Sequence, residues 1–335
     1  MKKLSLLTLS LFFSTWVLAQ GDLDDLFTGS VDDAKKLSEG YITPFMKAFG
    51  YGMNQGWYNT AKPHAVPGFD LTITVSPIYV PDADRFYSVD NTQLNNITLT
   101  NTGSASVSAS GKGDVPSFFG PDQTPTYQEN LGSTSFSGPP GVDLKFLPVP
   151  MAALGIGLPK GFDLKIRFVP KIDLGNISDG EVDGQFNLFG IGVMHDVKQY
   201  IPGIKTLPFD LSGFVGYTKM KLAVGFDSAN PDQEAVFESS ATTIQGVISK
   251  KVAVLTFYGG LGLNIAKTKL AVNGDYDFDG NGSTEVSNPF SLEAASSGPR
   301  LTAGMRLKLA VFAFHADYTI QKYKALTVGF GINVR

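Results

Sequence analysis

The sequence predicts an all-β chain closed as a transmembrane antiparallel β-barrel of about 10–14 strands, led by an N-terminal helical plug. Three observations predict it. The C-terminal segments alternate apolar and polar side chains, the chain opens on a secretory signal, and the composition interleaves apolar residues with small and polar ones.

The alternation names the solvent. From Arg300 to Leu309 one face reads Leu301, Ala303, Met305, Leu307 and Leu309, and the other Arg300, Thr302, Gly304, Arg306 and Lys308. The next stretch sets Phe312, Phe314, Ala316, Tyr318 and Ile320 against Val311, Ala313, His315, Asp317, Thr319 and Gln321. The last sets Leu326, Val328, Phe330, Ile332 and Val334 against Ala325, Thr327, Gly329, Gly331 and Asn333. Period-two alternation puts each set on one side of a strand. In a soluble sandwich the apolar side meets a second sheet; in an outer-membrane barrel it faces lipid.

The front of the chain decides for the membrane. Lys2 and Lys3 form a basic start, Leu4 to Leu18 an apolar core and Val17-Leu18-Ala19 a small-residue exit, so residues 1–19 read as a signal cleaved after Ala19. No Cys follows, which excludes a lipid anchor on cysteine. Cleavage removes two of the 27 basic residues and none of the 31 acidic ones, taking the net charge from −4 to −6. That balance argues against a nucleic-acid partner. Exported domains without disulfides need size or a closed sheet for stability. No later window reaches the ~18 consecutive apolar residues of a spanning helix. Gly at 37, Phe at 25 and charged residues at only 17% fit a barrel.

Residues 20–66 read as a helical and then irregular plug. Ser30 and Asp33 form a helix start, and Leu37, Tyr41, Phe45 and Phe49 fall at four-residue steps as one apolar stripe. Pro44 is expected to kink or divide this helix. The run from Gly50 to Thr60, with Trp57, reads as too glycine-rich for regular structure.

The barrel is expected over 67–335, with a long loop region at 81–147 holding a hairpin candidate at Ile97 to Ala109. Strands are read at Phe69–Ser76, Phe162–Val169, Phe209–Phe226, Leu255–Ile265 and the three stretches above. A change of phase around Thr218 to Met220 reads as a bulge. Short connections at Leu158–Gly161, Ser249–Val252 and near Leu309 alternate with longer ones at Lys171–Glu181, Asp227–Ala235 and Tyr276–Pro299. Short and long connections are the periplasmic and outer ends of such a barrel. His195–Pro208 reads as a long periplasmic excursion with a short helix, and Gln321–Lys324 as a tight outer turn.

The segment Asn54-Gln55-Gly56-Trp57-Tyr58-Asn59-Thr60-Ala61-Lys62-Pro63-His64, with Gly68 to Leu71 and with Phe189 to Pro202, resembles an uncharacterised Bacteroidota outer-membrane family. That family is similar to the fatty-acid and toluene transporter barrels. The resemblance implies an N-terminal plug and passage of a hydrophobic molecule through a lateral opening.

Several residues invite chemistry. Asp277, Asp279, Asn281 and Gly282 begin a calcium-loop pattern, with Glu285 at position 9 and Asn288 where a bidentate Glu usually stands. The competing reading is a polar outer loop of turn formers. His315 and Asp317 lie two apart on the lumen face, a spacing that suits proton transfer, yet no Ser accompanies them at hydrolase spacing. His64 and His195 fall in loop segments without metal-ligand spacing. Lys165, Arg167, Arg306, Lys308, His315 and Asp317 take the inward phase. The charged ones either pair with Asp70 and Asp163 or line a wet pore. Tyr79, Tyr217 and Tyr318 supply a thin interfacial girdle.

The expected function is a passive outer-membrane channel or transporter for a small hydrophobic molecule, performing no chemistry. Membrane lipid and that molecule are its partners, and no cofactor is expected apart from the calcium loop. A closed barrel that anchors or binds through its outer loops is the alternative, and an outer-membrane hydrolase comes third.

Overall fold

The structure, a computed structural model, describes residues 30–108, 111–132, 134–175, 183–225, 232–276, 284 and 286–334. The segment 1–19, read above as a signal, lies outside them.

Ten strand positions close into one antiparallel ring. The long staves are β1 (Phe69–Tyr79), β7 (Phe146–Leu158), β8 (Phe162–Asp173), β9 (Gly184–Asp196), β10 (Asp210–Gly225), β11 (Glu234–Val252) and β12 (Leu255–Asn273). They are followed by β15 (Phe290–Ala295), β16 (Gly298–Leu309), β17 (Phe312–Ile320) and β18 (Ala325–Val334). The order is β1-β7-β8-β9-β10-β11-β12-β16-β17-β18, and β18 pairs back onto β1 from Phe69↔Val334 to Ile78↔Ala325. β15 continues the β16 position along β12, from Lys267↔Ala295 to Val272↔Phe290. A closed ring leaves no edge to pair with another chain.

The alternation read from the sequence is the barrel's two faces. Leu261 is 65% exposed, Ile73 56% and Phe314 48%, all on the outer face. Their inward neighbours Thr72, Thr74, His315 and Asp317 are buried. An exposed belt of large apolar side chains around a closed ring faces lipid. Among the described residues no helix is long and apolar enough to cross a membrane.

Several expectations need correcting. β10 carries no bulge at Thr218–Met220, since its register with β9 and β11 is unbroken. The apolar side changes because Phe214, Met220 and Leu222 face an apolar plug while Lys219 and Lys221 leave the lipid belt. The irregularity falls instead between Val169 and Ile172 of β8. The turn expected at Ser249–Val252 lies one step later, because those residues still pair with Leu255 to Tyr258. The loop expected at Tyr276–Pro299 contains β15 and a two-stranded pair, β13 (Asp275–Tyr276) with β14 (Val286–Ser287).

Residues 81–147 form a cap rather than a loop. β2 (Phe86–Asp90) pairs with β4 (Lys112–Pro116), while β3 (Ile97–Asn101), β5 (Thr126–Glu129) and β6 (Ser135–Ser137) make a second small sheet. The expected hairpin is reduced to a bridge between Asn101 and Ser106, because β3 pairs chiefly with β5.

One helix, α1 (Val31–Met53), runs down inside the ring. Ser30 accepts the Asp33 amide at 3.1 Å as its N-cap, and Asp32 and Asp33 sit at its positive end. Pro44 neither divides it nor ends it, and Gly50 to Met53 continue it. Packing explains both: α1 is walled in by the cap and by β1, β7, β11, β12 and β15, and tertiary contacts override local propensity.

Candidate functional site

The lumen is filled from end to end, in three layers. The upper layer is apolar. Phe45 and Phe49 lie within 5.8 Å and 5.2 Å of Phe237, and Phe45 lies 5.0 Å from Phe118. The predicted stripe is thus divided between two partners. Leu37 packs with Val89, Ile97, Leu99 and Tyr127 of the cap, while Tyr41 donates to the Pro140 carbonyl at 3.0 Å and meets Phe118 edge-on. The Asp33 carboxylate accepts the Asn95 and Asn96 amides, which fixes the start of α1 to the cap. Within the cap, hydrogen bonds from Lys112 and Thr92 hold the Asp90 carboxyl at about 2, and burial pushes the Tyr127 phenol up to about 12.

The middle layer clasps the end of α1. The last carbonyls of a helix lack intrahelical donors and carry partial negative charge. α1 has no basic residue in its last turn; the wall supplies two. Arg167 Nη1 donates to the Met53 carbonyl at 2.8 Å, and Nη2 donates to the Gln55 carbonyl. Arg300 Nη1 donates to the Asn54 carbonyl at 2.9 Å, and Nη2 to Gln55 Oε1 at 2.8 Å. Below them Trp57 occupies a slot beside Gly192 and Gly216, which pair across β9 and β10. A Cβ on Gly216 would sit 2.8 Å from Trp57 Cε2, so the glycines are what admits the ring.

The lower layer is ionic. Lys165 Nζ lies 2.8 Å from Asp70 and 3.4 Å from Asp163. His64 Nδ1 lies 2.7 Å from Asp163 Oδ2, and its Nε2 faces the Asn333 amide. This fits the tautomer that donates from Nδ1. Asp317 accepts from Tyr258 Oη at 2.8 Å rather than from His315, whose ring nitrogens have no hydrogen-bond partner among the described residues. Arg306 faces His315 across β16 and β17, and Lys308 reaches Asn333 at the short-turn end.

All six inward candidates therefore face the interior, with Lys308 only half-buried at the mouth. Alternation could find them; it could not find that Arg300 is a clasp or that His64 is buried among carboxylates. His195, expected in a loop, ends β9 and stacks 3.8 Å from Phe162. The calcium-pattern residues Asp277, Asp279, Asn281 and Glu285 lie outside the described residues. Tyr79, Tyr217 and Tyr318 all point outward.

A second feature lies in the wall. Between Val169↔Leu188 and Ile172↔Phe186, Pro170 and Lys171 oppose the single residue Asn187. Such a bulge unpairs the ladder locally, and proline has no N–H to restore it. An open pocket of about 420 Å³ results, walled by Phe168, Val169, Leu188, Phe189 and Ala223 and rimmed by the polar Lys171, Gln185, Asn187, Lys221 and Glu234. Leu188 belongs to the core around α1, whereas Phe168 and Phe189 face outward at 65% and 48% exposure.

A family of unknown function, DUF6588, matches residues 1–334. No curated protein matches the sequence. Similar solved structures include the translocator domain of the autotransporter NalP from Neisseria meningitidis, with 10% identity over 90% of this chain and 97% of that one and a TM-score of 0.26. The toluene transporter TbuX of Ralstonia pickettii matches at 7% identity, 81% and 90% coverage and a TM-score of 0.23. The Pseudomonas putida toluene transporter TodX matches at 9%, 81% and 89% coverage and a TM-score of 0.23. At these scores the likenesses carry no argument about function, and the barrel rests on the strand ring itself. The matches give no support to a Bacteroidota origin.

Proposed function

Because the chain belongs to the DUF6588 family and membership brings no activity with it, we propose a function from the barrel alone: an outer-membrane protein passing a small hydrophobic molecule, with the plug as its gate. The observation that carries this reading is the pocket at the β8 bulge. There the wall between lipid-facing Phe189 and the plug's apolar packing is one residue deep, at Leu188. An apolar solute entering at the edge of the lipid belt, past the polar rim of Lys171, Lys221 and Glu234, meets Leu188 and the apolar packing around α1 behind it, and no chemical step is involved. Signal cleavage after Ala19 and insertion with the short turns in the periplasm complete the proposal.

Uptake of the hydrophobic dye N-phenyl-1-naphthylamine into proteoliposomes tests it. Ala223 lines the pocket from β10, so Ala223→Trp fills it. The expected result is dye entry with the wild type and entry at the protein-free rate with the variant. Equal entry through both would exclude the wall route.

A second reading is favoured by the continuous filling of the lumen: a closed barrel that binds at the surface through its cap. Absence of dye entry with correctly folded wild type would favour it.

A further inference from the structure

On β10, β11, β12 and β15 the outer face carries charge above the apolar belt in two adjacent rows set by the strand registers. Counting away from the lipid belt, Val215, Ile244 and Leu263 share a row, then Tyr217, Thr242 and Ile265. The next row is Lys219, Ser240 and Lys267, ended by Ala295; the one above is Lys221, Glu238, Lys269 and Glu293. The upper row alternates sign across four strands, with Lys221 and Glu238 at 3.9 Å, and so compensates itself. The lower row holds two lysines and no carboxylate. Lys267 does reach Glu293 of the upper row at 3.7 Å, but that pair is 75% and 63% exposed, so it contributes little.

Lys219 and Lys267 therefore flank the Ser240 hydroxyl, two strand spacings or about 10 Å apart. They line an open pocket of about 170 Å³ with Tyr217 on its lower side and, on its upper side, Glu238, Lys269 and Glu293; the two carboxylates are offset by Lys221, Lys269 and the row's own lysines. In the next row below are Tyr217 and Ile265, exposed at 39% and 53%, and in the row after it Ile244, exposed at 49%. A cationic row with a hydroxyl donor, set one step above an apolar belt, matches a molecule with a phosphate headgroup and acyl chains. We infer that this row is a docking surface for a phosphate-bearing lipid of the leaflet at the long-connection end, with the acyl chains lying on the belt and the phosphates between Lys219 and Lys267. The inference uses the membrane placement of the barrel and is independent of whether anything passes through it.

Native mass spectrometry of the full detergent-solubilised chain, titrated with bisphosphorylated lipid A or with the same lipid after removal of both phosphates, tests the surface. Lys219→Ala with Lys267→Ala should weaken binding of the phosphorylated lipid about 30-fold, the scale of two lysines at an anionic lipid surface. Lys250→Ala with Lys251→Ala removes equal charge at the short-turn end and should leave binding unchanged. Lys219→Gln with Lys267→Gln keeps the falsification available if the alanine pair folds poorly. Wild type that does not prefer the phosphorylated lipid, or lysine variants that bind it as wild type does, would overturn the proposal. So would inorganic phosphate alone binding with the same dependence on Lys219 and Lys267, since the site would then take a free anion.

Discussion

The Arg167 guanidinium lies 3.6 Å above the ring centroid of Trp57, and its two terminal nitrogens donate to plug carbonyls on either side. One wall residue thus fixes both the end of α1 and the segment after it. Arg167→Met keeps the volume but leaves the Met53 and Gln55 carbonyls without these donors, at about 1–3 kcal/mol for each buried group. The expected outcome is a lower temperature for the heat-induced mobility shift in detergent, with the barrel still closed. An unchanged shift would mean that Arg167 does not hold the plug.

The glycine slot can be read optically. Trp16 lies in the segment read as a signal and Trp57 in the plug, so a chain cleaved after Ala19 would report from Trp57 alone. Gly216→Val would drive a methyl-bearing carbon to 2.8 Å from Trp57 and 2.9 Å from Phe214, an overpacking of about 1–3 kcal/mol. Its fluorescence should shift to the red. Gly246→Val meets nothing within 4 Å and should leave the spectrum alone.

Removing residues 21–52 should raise single-channel conductance in planar bilayers, because the ring's seams, β1–β18 and β11–β12, involve none of them. A silent trace from correctly folded deletion protein would show that the plug is not the barrier.

Substitutions on the two faces of β18 separate lipid from interior. Phe330→Arg, on the 41% exposed outer face, should cost about 2–4 kcal/mol near the midplane. An open lumen would make Thr327→Arg mild, but Thr327 is fully buried and hydrogen-bonded to Ser76 at 3.0 Å. It should be at least as damaging, measured by urea unfolding in detergent. A harmless Thr327→Arg would mean the interior is wet.

Much of this was legible because lipid imposes a period of two on the outer face. Leu301 to Leu309 and Phe312 to Ile320 show it in the sequence and in the staves. It fades where both surroundings change at once, as along β10, where Met220 faces the plug and Lys219 leaves the apolar belt. It also fades in the cap, whose strands of three to five residues bury side chains against one another and against Leu37 rather than against lipid. The site was less legible than the wall. Inward phase picks out Arg300, but its acceptor on Asn54 lies 246 residues away in the chain, and no local pattern encodes that.

The direction of α1 sets the order of assembly. Its start is bound to the cap, its end to Arg167 and Arg300, and the chain then reaches the short-turn end at His64 before β1 rises beside β18. The earliest part of the protein is thus enclosed by the latest. Contacts of such long sequence separation form slowly, and a ring of this kind exposes its apolar interior until they do. The plug cannot be threaded afterwards through a ring whose upper opening holds the cap. In the folded ring it is the pairing of β18 onto β1, the last strand onto the first, that completes the wall around the plug.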